Sequence, residues 1–155
     1  MGDWKRSSRE CTPEALPREM MLAMRKHIEQ YDLGNILTDV SACVETTSKK
    51  SKSGPVGKGE ENVVTGVIVT RGWLVWAIRG DSPEVAVMSA RLTDIVVQDY
   101  AATEFARMVP DAGIEVSGSF TDAAERGSAF IGLGDEPAAQ ELRNVLIQAV
   151  QDAKK

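Results

Sequence analysis

Residues 63–100, VVTGVIVTRGWLVWAIRGDSPEVAVMSARLTDIVVQDY, decide the fold. Short β-branched runs are separated there by Arg71-Gly72, by Gly80-Asp81-Ser82-Pro83 and by Ala90-Arg91, which are spacings for tight antiparallel hairpins. The stretch therefore predicts a meander. Trp73, Val75 and Ala77 alternate with Leu74, Trp76 and Ile78, and Val63, Val67 and Val69 with Val64 and Ile68, so two adjacent strands are apolar on both faces. A bare two-sided apolar hairpin would aggregate, so its outer face needs a cover.

Working outward, residues 35–47 alternate as a first strand. Ile36, Val40, Ala42 and Val44 form its apolar side, and Asp39, Ser41, Cys43 and Glu45 a wet one. Residues 48–62 hold Ser, Gly, Lys and Pro without periodicity and predict a mobile loop. Residues 113–120 and 128–133 read as two further strands, and 101–112 as a short helical turn before Pro110. Residues 136–153 form an amphipathic helix with a stripe of Leu142, Val145, Leu146, Ala149, Val150 and Ala153. Asp135-Glu136-Pro137 opens it and Lys154-Lys155 closes it. Near the start, a helix from Pro17 to Tyr31, stopped at Gly34, carries Met20, Met21, Met24, Ile28 and Tyr31 on one face. Either this helix or a partner chain can cover the hairpin. Residues 1–11 are polar and read as frayed, with Trp4 the candidate anchor. The division that follows is an N-terminal extension and helix over 1–34 and one domain over 35–155.

Composition limits the function. At 155 residues and 43% hydrophobic, one domain suffices, and the net charge of −5 with few aromatics argues against a nucleic-acid binder. Residues 1–62 balance ten Lys/Arg against ten Asp/Glu, so the deficit lies in 63–155. Two cysteines, Cys11 and Cys43, are too few for a disulfide framework and read as buried or inert thiols. The apolar run Met20–Met24 ends at Arg25-Lys26, too short for a signal core or a membrane span, and Arg6 stands where a myristoylation site needs Ser or Thr. The expectation is a cytoplasmic chain that is not transmembrane.

One strand, a basic loop, a meander, two more strands and a capping helix, with TGVIVTRGWLVWAIRG, LTDIVVQDY and GSAFIGLGDEPAAQELRNVLIQAV as the segments that carry it, resemble the bacterial pleckstrin-homology-like (PH-like, GRAM-type) domains over about residues 35–153. That resemblance implies a mainly β, α+β fold, a partly open antiparallel barrel of about seven strands capped by the C-terminal helix, with the N-terminal helix as an addition. It implies no catalysis and no cofactor, and recognition of lipid headgroups or proteins at loops and sheet edges. Phosphoinositide-binding members carry basic residues at the end of the first strand and the start of the second. Lys49, Lys50 and Lys52 match the first place, and Glu60-Glu61-Asn62-Val63 stands at the second.

Three functions are weighed. The first is a noncatalytic module for a protein partner or homo-oligomer, using the apolar hairpin and the Met-rich helix, with Met20, Met24, Trp73 and Trp76 as its surface. The second is an anionic lipid or headgroup binder using Lys49, Lys50, Lys52 and Lys58 with Arg71. The third is an enzyme built on Asp94, Asp99 and the one histidine, His27; no catalytic residue and no metal ligand is assigned. His27 reads as a surface or boundary residue, and Asp94 and Asp99 fall on opposite strand faces. Gly54–Gly59 lacks the spacing of a phosphate loop, and Arg79-Gly80-Asp81 is explained by a hairpin turn.

Overall fold

A computed structural model of the chain describes residues 4–54 and 57–155, with side chains described outside 52–58. It is an α+β fold of mainly antiparallel sheet. Strands β1 (Trp4–Glu10), β2 (Val40–Gly54), β3 (Gly57–Thr70), β4 (Trp73–Arg79) and β5 (Val85–Arg91) form one sheet in chain order. Strands β6 (Ile95–Asp99), β7 (Gly113–Gly118) and β8 (Gly127–Gly132) form a second. Helix α1 (Arg18–Gln30) lies between β1 and β2, and helix α2 (Pro137–Ala153) follows β8. Among the described residues the two sheets do not join into a closed barrel.

The two-faced reading of the meander explains the two cores. Val67, Val69, Leu74 and Trp76 face Ile95, Ile114, Val116 and Ile131 of the second sheet, and Leu142, Leu146 and Val150 of α2 complete that core. Ile68, Val75 and Ala77 point the other way, against Met20, Met21 and Met24 of α1 with Leu16 and Cys43. The cover of the hairpin is thus supplied by the chain itself, and a salt bridge from Arg79 to Glu19 fastens α1 to β4. Gly118 (φ +146°) sits where a Cβ would run into the Asp94 carbonyl, which lets β7 approach the start of β6.

Three expectations are corrected. Residues 4–10 are not frayed; they pair along β2 from Trp4 with Lys50 to Glu10 with Val44, and so join the sheet of the following domain. They carry no apolar alternation because the inward side chains are polar and satisfied. Ser8 Oγ shares a hydrogen bond with Thr46 Oγ1 (2.7 Å) and accepts from the Gly134 N–H (2.9 Å), while the Ser8 N–H donates to Glu136 Oε1 (3.1 Å). Its own backbone amide, and then the Ser8 N–H, hold the Glu136 carboxyl below the usual carboxylate range.

Residues 48–54 and 57–62 are strand rather than loop, and the rest of the expected loop, residues 55 and 56, lies outside the described residues. The β2–β3 ladder continues through Ser48 with Val63, Lys50 with Glu61 and Ser51 with Glu60, so the ribbon is long, with β1 alongside as far as Lys50 and two strands beyond it. Backbone pairing and opposed charges need no hydrophobic period, and so the pattern was silent. Finally, residues 36–38 are a 3₁₀ turn, and the register shifts between Val40 and Ala42. That bulge puts Val40 and Cys43 on the α1 side, so the side expected to be wet is partly dry and Cys43 is buried.

Candidate functional site

One end of the β1–β2 ladder gathers basic charge, and the β6–β7 connection tied to it exposes apolar surface. Lys5 stands opposite Lys49 on the β1–β2 ladder and Trp4 opposite Lys50, whose ammonium lies 5.8 Å from the Trp4 ring centre. Alternation along the strands sends Lys5 and Lys49 to one side of the ribbon and Lys50 to the other. The Lys52 and Lys58 backbones continue the ribbon, but their side chains lie outside the described residues.

Arg6 is the joint between this ribbon and the β6–β7 connection. Its guanidinium donates to Asp111 through Nε (2.9 Å) and Nη2 (2.8 Å) and to Ser48 Oγ through Nη1 (2.6 Å). It lies 5.1 Å from the Trp4 ring and 5.4 Å from that of Phe130. A two-pronged ion pair with both side chains at 10% and 14% exposure holds its geometry better than a surface pair. Tyr100 adds a second tether, its hydroxyl donating to the Val109 carbonyl at 2.7 Å.

The connection is held at both ends, yet its middle faces solvent. Phe105 is 64% exposed, Met108 81% and Val109 50%, beside Arg107. Between the two segments lies a groove of about 520 Å³ lined by Trp4, Lys5, Arg6, Pro110, Asp111 and Gly134, among others. Sequence reasoning does not single out these exposed apolar residues, because AATEFARMVPDA reads as a short turn before Pro110. The available signal was three large apolar residues within five positions and no alternation to bury them.

Arg71, in the β3–β4 turn, is at the far end of β3 from the lysines; Lys49 and Lys50 pair with Asn62 and Glu61, on the order of 30 Å away along the strand. The lysines and Arg71 therefore do not form one site. Met20, Met24 and Trp76 have no exposed surface, and Trp73 is half-buried with the Arg91 guanidinium 5.1 Å from its ring. They are core in this chain, not a docking face.

His27 is buried rather than at the surface, its Nε2 2.8 Å from Ser89 Oγ, which in turn lies 2.6 Å from Thr121 Oγ1. Burial holds its pKa below the ordinary imidazole value, against a weaker upward pull from Asp122. Asp99 approaches Arg143 Nε (3.7 Å) at the far end of β6 from Asp94, which lines a separate cleft of about 310 Å³ with Tyr31, Trp73 and Arg91. His27, Asp94 and Asp99 do not converge. Among the described residues no group of three or more His, Cys, Asp or Glu side chains could hold a metal ion, and no helix is long and apolar enough to cross a membrane. No protein-family model, curated protein or solved structure matches this chain.

Proposed function

We propose that the chain is a noncatalytic binding module of PH-like organisation that docks on anionic membrane surface through the end described above. Strands β2 to β8 followed by α2 run in the chain order of the resemblance, with β1 and α1 as additions. The observations that carry the docking are Lys5, Lys49 and Lys50 on the β1–β2 ladder and the exposed Phe105, Met108 and Val109 on the connection that Arg6 ties to β1 through Asp111. Near an anionic surface each lysine contributes about 1 kcal/mol. Burying one large apolar side chain adds about 1.5–3 kcal/mol. The sum of roughly 5 kcal/mol corresponds to sub-millimolar, reversible attachment, before Glu60 and Glu61 subtract.

Co-sedimentation with phosphatidylcholine vesicles, with and without phosphatidylserine, tests this. Binding is expected to the mixed vesicles only and to weaken with salt. K49E/K50E is expected to abolish it, and F105A/M108A to lower it several-fold. Equal sedimentation with neutral and anionic vesicles would sink the proposal.

A protein partner is the second reading, favoured by the same exposed Phe105–Val109 surface. Self-assembly through the hairpin has lost its motive, since α1 fills that face.

A further inference from the structure

The edge strand brings the two cysteines together. The β1–β2 register pairs Glu10 with Val44, and Cys11 continues it opposite Cys43, its N–H donating to the Cys43 carbonyl at 3.0 Å. Directly opposed residues of an antiparallel ladder have Cα atoms about 4.5–5.5 Å apart, within the ~4.4–6.8 Å that a disulfide spans. The Sγ atoms are 3.3 Å apart, so rotation about the Cα–Cβ bonds can bring them to bonding distance of about 2.05 Å.

Their surroundings differ in a useful way. Cys43 is buried beneath α1, whereas Cys11 is partly exposed. The hydrogen bond from Cys43 and then the charge of Arg9 hold the Cys11 thiol below its ordinary range. The same hydrogen bond and burial push Cys43 up. An accessible thiolate beside a protected second thiol is the arrangement in which oxidation goes on to a disulfide.

We propose that Cys11 and Cys43 are a reversible thiol–disulfide site, oxidised by hydroperoxides, whose closure ties down both ends of the segment that carries α1. The Cys11 thiolate attacks the peroxide; the O–O bond breaks, Cys11 becomes a sulfenic acid, and the other oxygen leaves as water or an alcohol after taking a proton. The Cys43 sulfur, giving up its proton, then attacks the Cys11 sulfur. The S–O bond breaks, water leaves and the S–S bond forms. Two thiols have lost two electrons to one peroxide. Residues 12–42 become a closed loop that includes α1, the cover over Ile68, Val75 and Ala77.

The test treats the full chain with hydrogen peroxide, alkylates the remaining thiols, and reads intact mass and a non-reducing peptide map. The expected product is a monomer that has lost two hydrogens, resists alkylation, links the Cys11 and Cys43 peptides, and reverts with a dithiol reductant. C43S is expected to stop at a sulfenic acid that a cyclic diketone traps on Cys11, and C11S to leave Cys43 reduced. Limited proteolysis within 12–42 is expected to slow several-fold on oxidation. Thiols that stay alkylatable, a sulfenic acid that persists in the native chain, a cross-link between chains, or cleavage unchanged by oxidation would overturn the proposal.

Discussion

Several positions turn on polar side chains that an apolar pattern does not detect. His27 on α1 reaches across to Ser89 on β5, and Thr121 completes the chain of hydrogen bonds. Because burial lowers the His27 pKa in the folded state, the unfolded chain binds its proton more readily. This contribution to stability is fully present above an ordinary imidazole pKa of about 6.5 and is lost as pH falls through the lower folded value. Denaturation midpoints are therefore expected to fall between pH 7.5 and 5.5, and H27Q to flatten that fall; an unchanged slope would count against it. The thiol pair adds a redox term at the same scale. Closing a loop of roughly 30 residues stabilises by about 3–4 kcal/mol when the bond is unstrained. The oxidised chain should accordingly unfold at higher denaturant.

Among the elements, α1 is the one whose placement decides what the sheet presents. Met20 and Met24 are fully buried against β3 and β4, and Gly66 leaves the room that Met20 and Leu16 need. A Cβ at Gly66 would come 2.7 Å from Met20 Sδ and 3.1 Å from Leu16 Cδ2. G66V is expected to push α1 outward and to cost about 1–3 kcal/mol, read as a lower denaturation midpoint and faster proteolysis within α1. At Gly80 nothing lies within 4 Å, so G80V is the control expected to leave α1 undisturbed. The ribbon β2–β3 follows a different rule. Its outer half is held by the ladder, where Lys50 stands opposite Glu61, with little core beneath it.

For the molecule as a whole, covering the hairpin within one chain has a direct consequence. Light scattering coupled to size exclusion is expected to give a monomer across a wide concentration range. A defined dimer would mean instead that α1 exchanges between copies. The charge distribution agrees with a module that uses one end: the net charge is −5, yet Lys5, Lys49 and Lys50 cluster on the β1–β2 ladder, which Arg6 ties to the connection that exposes Phe105–Val109.

The sequence by itself determined the meander, the two faces of β3 and β4, and the placing of α1 and α2 to within a residue or two. In each, the repeat of apolar side chains matches the repeat of the backbone, and burial dominates the energy. It did not reveal β1, the outer ribbon, the burial of His27 or the meeting of Cys11 with Cys43. Those depend on backbone pairing and on hydrogen bonds between residues distant in the chain, such as Ser8 with Gly134 and Arg6 with Asp111. Such partners leave no local period, because what satisfies a polar group is decided by where the rest of the chain comes to lie. Only the tertiary structure could decide that the Met-rich helix and the Trp-bearing hairpin are each other's cover, and that the exposed apolar surface lies on the β6–β7 connection instead.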